Sequence, residues 1–92
     1  MNRSELIAAL CTKHPELKYQ DVFESVVVML EGMSNSLAQG DRVEVRDFGA
    51  FSIHLTNARI GRNPATGARV EVPAKPRVHF KPGKGLKDRV DQ

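Results

Sequence analysis

The chain has 92 residues, of which 40% are hydrophobic and 27% are charged, and its formal net charge is +3. A chain this short buries only about 60–65% of its unfolded surface, so we expect one domain over residues 1–92, stabilised by oligomerisation. The sequence has no apolar run long enough to span a bilayer, no signal-peptide core at its N-terminus and a single cysteine. The sequence therefore predicts no membrane-spanning segment and allows no internal disulfide, and a cytoplasmic location is expected.

Two helices are predicted in the N-terminal half. Asn2 followed three residues later by Glu5 fits a capping box, and apolar residues then recur at helical spacing until Pro15. A second helix is predicted from about residue 18 to residue 38. Its apolar stripe, including a methionine pair interpreted as core, consists of Val22, Val26, Met29, Leu30, Met33 and Leu37. This stripe is too long for one small monomer to cover, which agrees with an intertwined dimer.

The hydrophobic pattern then changes to the period of two that is typical of half-buried strands. Residues 42–46 and 51–55 alternate polar and apolar side chains around a predicted tight turn at 47–50. A third strand is predicted at 77–80 and a short helix at about 83–90. The predicted fold class is therefore α+β, with two N-terminal helices, a three-stranded antiparallel sheet and a short C-terminal helix.

Residues 56–76 contain few large apolar side chains, extended character at 70–72 and turn residues at 63–67. The alternatives are a structureless loop, which is uncommon in compact domains unless it is functional, and a protruding ribbon. A ribbon so poor in apolar residues is unstable in water without a packing partner. We therefore predict a long β-ribbon arm over approximately 55–76 that becomes ordered on a ligand.

The charge distribution is asymmetric. Residues 1–50 carry five Lys/Arg and eight Asp/Glu, whereas residues 51–92 carry nine Lys/Arg and three Asp/Glu. Such a basic half predicts a polyanion ligand, and the alternative is a solvated surface that only maintains solubility.

The centre of the ribbon, Gly61–Gly67, carries Pro64 at the apex of a turn, beside Arg62. An exposed proline can insert between base pairs from the minor groove, and Arg59 and Arg62 suit the negative potential of a narrow minor groove. The alternative is that Asn, Pro and Gly simply make a turn.

Three runs of sequence resemble the bacterial HU/integration host factor family: Phe48–Phe51, Gly61–Gly67 and Phe80–Lys84. The resemblance covers the whole chain in order, and Val43–Arg46 and His79–Lys84 look most like integration host factor. It implies a dimer that bends double-stranded DNA in nucleoid organisation, site-specific recombination and control of transcription, without enzymatic activity or a cofactor.

The resemblance also assigns roles to individual residues. Pro64 becomes the intercalating wedge, flanked in the minor groove by Arg62 and Asn63, and Arg46 reaches the groove from beneath the arms. The full set of predicted DNA-binding residues is Arg3, Arg46, Arg59, Arg62, Asn63, Pro64, Arg69, Lys75, Lys81, Lys84 and Lys87. A phosphate is also expected at the start of the last helix, between Lys81 and Lys84.

Several positions depart from the family pattern. Asp47 occupies a turn position where relatives usually have glycine, and we expect it to pair with Arg46 or Arg42. Thr56 and Ala65 are uncharged where relatives often have a basic residue, which predicts fewer phosphate contacts.

Other interpretations remain open at this level. The dimer is either a heterodimer with an alpha-type subunit or an HU-like homodimer that packages DNA without sequence preference. Acidic proteins and RNA are less favoured ligands. The dispersed histidines (His14, His54 and His79) and the single cysteine form no metal-binding spacing, so we interpret the histidines as surface or packing residues.

Overall fold

A computed structural model describes all residues from 1 to 92 and contains three helices and five strands. In chain order these are α1 (Arg3–Lys13), α2 (Tyr19–Ala38), β1 (Val43–Val45), β2 (Gly49–Thr56), β3 (Arg59–Arg62), β4 (Arg69–Val72), β5 (Lys75–Pro82) and α3 (Lys84–Val90). An antiparallel sheet has the strand order β1-β2-β5, and β3 pairs with β4 in a separate two-stranded sheet. The predicted α+β fold is confirmed. Because β3 pairs with β4, this segment contains a two-stranded ribbon and is not a structureless loop.

The chain divides into two compact units, Met1–Asn35 and Ser36–Gln92. In the first unit, the side-chain oxygen of Asn2 accepts a hydrogen bond from Glu5 N at 2.9 Å, so α1 has the predicted N-cap. Ile7 on α1 is 1% exposed and packs in a core with Val22 and Val26 of α2. The apolar spacing of both helices therefore creates the core that the sequence predicts.

The middle of α2 is not covered within a single chain. Met29 is 58% exposed and Leu30 is 40% exposed, although both belong to the same apolar stripe as the buried Val22 and Val26. The interpretation of Met29 as core is therefore wrong for the isolated chain, because α1 packs only on the first turns of α2. An exposed apolar helix surface of this kind is typical of a site that a partner covers.

The second unit contains a sheet with two chemically different faces. Directly paired residues on antiparallel strands share a face, and the pairs Val43–Phe51, Phe51–Phe80 and Ile53–Val78 make one face apolar. The rings of Phe51 and Phe80 lie 4.7 Å apart between centroids, which anchors β2 to β5. The opposite face is polar and is described below.

The strands of this sheet are longer than predicted. Gly49 and Ala50, which we assigned to the turn, are buried residues of β2, and Gly49 pairs with both Val45 and Pro82. β5 likewise extends beyond the predicted 77–80 to Lys75–Pro82, although it contains two prolines. The tertiary pairing of the two strands overrides the local turn preference of Gly and Pro.

Candidate nucleic-acid interface

The tip of the β3–β4 ribbon is a preformed turn. Asn63 N donates to Ala68 O at 2.9 Å, and Gly67 N donates to Asn63 O at 2.7 Å. The side-chain Oδ1 of Asn63 also accepts a hydrogen bond from Ala65 N at 2.9 Å. In this Asx-turn, the side-chain oxygen takes the place of a backbone carbonyl. Gly67 has φ of 71°, a conformation that glycine adopts without strain. The tip residues therefore build a defined loop in the free chain.

Pro64 lies exposed at the apex of this loop. Its ring fixes the backbone and lacks an N–H, so the apex presents a rigid apolar surface. Asn63, predicted to flank Pro64 in the groove, contributes its Oδ1 to the turn that supports the proline. The structure therefore contains the turn of the alternative interpretation, and this turn leaves Pro64 exposed.

The two strands of the ribbon place like charges opposite each other. Arg62 and Arg69 are a directly paired cross-strand couple, and both side chains are exposed. Like charges in this position destabilise a strand pair, and the Arg62 guanidinium donates only to the carbonyl oxygen of Gly67, at 3.4 Å. A bound polyanion would convert this unfavourable pair into a favourable one.

The polar face of the β1-β2-β5 sheet collects further basic groups. Lys75, Arg77, His79 and Lys81 occupy alternate positions on β5, so their side chains project to the same face, where Arg77 pairs with His54 of β2. Lys75 and Lys81 were predicted to bind DNA, whereas Arg77 was not, and the two histidines were interpreted as surface or packing residues. The signal that places Arg77 and His79 on one face with these lysines is the strict alternation of polar residues from 75 to 81.

The turn between β1 and β2 contacts the start of α3 through Asp47. Asp47 Oδ1 accepts a hydrogen bond from Gly85 N at 3.2 Å, and Phe48 O accepts from Gly83 N at 2.8 Å. The expected pairing of Asp47 with Arg46 or Arg42 is wrong, since Arg42 pairs with Glu44 at 3.4 Å. Asp47 turns to α3 because the helix start carries free N–H groups and partial positive charge.

The same contact bears on the phosphate expected at the start of α3, which stays a prediction. That end of the helix already holds the carboxylate of Asp47, and Gly83, the N-cap residue, offers no side-chain cap. A Cβ at position 85 would displace this carboxylate, so glycine permits the Asp47 contact despite its low helix propensity. Lys84 and Lys87 remain exposed on α3.

The predicted DNA-binding arginines and lysines have no ion pairs within the chain. Arg42 and Glu44 form an ion pair, and His14 Nδ1 lies 3.3 Å from Glu16 Oε1, but neither contact involves a predicted residue. Arg3 belongs to the first compact unit, where its guanidinium carbon lies 5.8 Å from the ring centroid of Phe23. The other predicted residues belong to the second unit. Two of them, Lys75 and Lys81, lie on β5. The β3–β4 ribbon carries Arg59, Arg62, Asn63, Pro64 and Arg69.

Known proteins with a similar sequence identify the family of this chain. The bacterial DNA-binding protein family matches residues 1–91. The chain belongs to this family. It is accordingly a DNA-binding protein and not an enzyme, as the resemblance implied.

The relatives support the same assignment over the full chain. An integration host factor subunit beta from Halorhodospira halophila is 54% identical, covering 99% of this chain and 89% of that protein. One from Thioalkalivibrio sulfidiphilus is 53% identical, covering 99% and 95%. The predicted resemblance to integration host factor is confirmed, and both of these relatives are its beta subunit.

Solved structures give the same fold. A cocrystal structure of Anabaena HU with DNA has a TM-score of 0.88 at 31% identity, covering 98% of this chain and 97% of that one. HU from Thermotoga maritima has a TM-score of 0.64 at 30% identity, covering 98% of each chain. In this chain, none of the helices combines the length and apolar character that crossing a membrane requires.

Asp47 supplies a first testable prediction for a family member with this turn. Asp47→Ala should lower the free energy of unfolding by about 1–2 kcal/mol, because it removes an acceptor at the helix start and replaces Asp by Ala, which tolerates a φ of 67° less well. Asp47→Asn retains an acceptor and tolerates this backbone conformation, so it should lose less than about half of that. Urea unfolding of the two variants makes the comparison, and equal losses would contradict the capping role.

Proposed function

We propose that this chain is an architectural protein that bends duplex DNA, inserting the β3–β4 ribbon into the minor groove. The observation that carries the proposal is the preformed tip, with Pro64 exposed at its apex and the uncompensated Arg62 and Arg69 on the strands behind it. A rigid apolar wedge followed by unpaired cations suits a site where stacked bases lie beside phosphates.

The wedge has a physical rationale. Partial unstacking of one base step costs a few kcal/mol, which is recovered when the bent duplex contacts more protein surface. The chain provides that additional surface in Lys75, Arg77 and Lys81 on the polar face of the sheet, which are exposed and free of ion pairs. Phosphate contacts of this kind fix register and orientation without reading sequence. Sequence preference would then come mainly from how easily the DNA deforms.

The proposed functional form is a dimer. The exposed Val28, Met29 and Leu30 on α2 leave an apolar surface that a second subunit would cover. Similarity to integration host factor subunit beta favours a heterodimer with an alpha-type subunit, and similarity to HU favours a homodimer. Expression alone and with an alpha-type subunit, followed by size-exclusion chromatography, distinguishes these forms.

The proposed cellular roles follow from bending. A protein that stabilises a sharp bend brings distant DNA segments together, and this serves nucleoid organisation, site-specific recombination and control of transcription. We place the protein at the nucleoid on the same grounds.

The salt dependence of binding tests the proposed ligand. For duplex DNA, log affinity should fall with log salt with a slope of about 0.9 per phosphate contacted, and we expect a slope of at least about 5. Fluorescence anisotropy of a labelled duplex between about 50 and 200 mM salt measures it. Double-stranded RNA and polyglutamate serve as competitors at matched charge. Equal competition by either polymer would contradict a DNA-bending function, because a kinkable duplex is needed for the wedge.

A further inference from the structure

Two histidines form a stacked pair on the polar face of the sheet. The rings of His54 on β2 and His79 on β5 lie 4.6 Å apart between centroids, with an interplanar angle of 21°. Both side chains are exposed. Ser52 Oγ lies 3.2 Å from Nε2 of His54. A hydroxyl can donate to a neutral imidazole or accept from a charged one, so this contact is compatible with both protonation states.

The groups that face this pair are mostly cationic. On β5, Arg77 lies directly opposite His54 in the strand register, while Lys75 and Lys81 lie further along the same face. From β1, the charged group on this face is Glu44, which is already paired with Arg42. The other groups of β2 on this face, Ser52 and Thr56, carry no charge. No carboxylate therefore faces the imidazoles closely enough to form an ion pair.

We propose that His54 and His79 are a proton-linked part of the DNA-binding surface, which contacts the phosphate backbone of the duplex and takes up protons when DNA binds. This inference rests on the proposed function, since it names the phosphates of bent DNA as the ligand of the polar face. It adds a dependence on pH that the arginines and lysines of the same face do not provide.

The chemistry of the pair gives the direction of the effect. Imidazole is the side chain that changes charge between about pH 5 and 8. Two charged rings in a stack repel each other, and a row of phosphates over the pair offsets that repulsion and favours the charged forms. If the complex holds more protons than the free components, its affinity rises as pH falls. Binding therefore strengthens on acidification, through a range in which arginine and lysine stay charged.

The test measures duplex affinity by fluorescence anisotropy at about pH 6, 7 and 8, at constant ionic strength, with the dimer that binds DNA. The wild-type affinity should rise about tenfold from pH 8 to pH 6. This rise is below the limit set by proton linkage, which is a tenfold change per pH unit for each proton taken up. His54→Gln/His79→Gln should lose this dependence, so that its affinity changes by less than about twofold over the same range. His14→Gln, on the first compact unit, is the matched control and should keep the wild-type dependence.

The outcomes separate this inference from the proposed function. DNA binding without pH dependence, or a pH dependence that survives in the double variant, overturns the role of the histidines and leaves DNA bending untouched. Failure to bind at any pH overturns both. Nuclear magnetic resonance titration of the imidazoles provides a second readout that does not depend on the variants. Addition of duplex should move the titration midpoints of His54 and His79 to higher pH, and unchanged midpoints would overturn the inference.

Discussion

Replacing Pro64 with alanine is expected to abolish most of the DNA bending while leaving most of the binding. The proline ring is the rigid apolar group at the ribbon apex, and alanine is too small to hold a base step open. The basic residues on the ribbon and the sheet, which provide the electrostatic part of the affinity, are unchanged. Ligation-dependent circularisation of short DNA fragments measures bending, and anisotropy measures affinity on the same fragments.

The control for this experiment is Ala65→Gly, which changes the residue next to the proline but keeps the wedge. Ala65 contributes its N–H to the tip through Asn63 Oδ1, and glycine retains that donor. The control should circularise DNA like wild type. Equal circularisation by Pro64→Ala and wild type would show that the tip proline does not produce the bend.

The second large effect concerns the polar face of the sheet. Arg77→Gln/Lys81→Gln should weaken binding to every duplex sequence and reduce the slope of log affinity against log salt by about 2, because each phosphate contact contributes about 0.9. Both residues lie on β5, exposed and on one face. The prediction includes Arg77, which sequence reasoning had not placed in the interface.

A variant with the same loss of charge controls for overall electrostatics. Lys13→Gln/Lys18→Gln removes two exposed cations from the first compact unit. If the polar face contacts phosphates, this control should change the salt slope by less than about 0.5. Equal effects of the two double variants would mean that net charge, rather than the sheet face, governs the affinity.

The helices and the ribbon could be predicted from sequence because their signals are local. The helical spacing of apolar residues in each helix indicates which side chains share a face. Ile7 of α1 and Val22 and Val26 of α2 lie on such faces, and all three are buried. The run of Asn, Pro and Gly at 63–67 likewise specifies its own turn through neighbouring groups. In these segments, the physical cause of the structure lies within a few residues of sequence.

The remainder depended on contacts between distant residues. Asp47 binds the N–H of Gly85, which is 38 positions away, so composition near residue 47 favoured the nearby arginines instead. The ends of β2 and β5 were misplaced because Gly49 and Pro82 pair with each other, although each alone signals a turn. His54 and His79 come together only through the register of those strands, and dispersed histidines gave no sign of a pair.

The most direct test of DNA bending uses energy transfer between labels at the two ends of a duplex of about 35 base pairs, long enough to include a bent site. One duplex carries an integration-host-factor-type site and the other does not, and the chain is added alone or with an alpha-type subunit. A bending protein should raise transfer on at least one duplex: on the site-bearing duplex alone for a sequence-selective bender, or on both for an HU-like packaging protein. Binding detected by anisotropy without any rise in transfer, in either assembly, would contradict the proposal that this protein bends DNA.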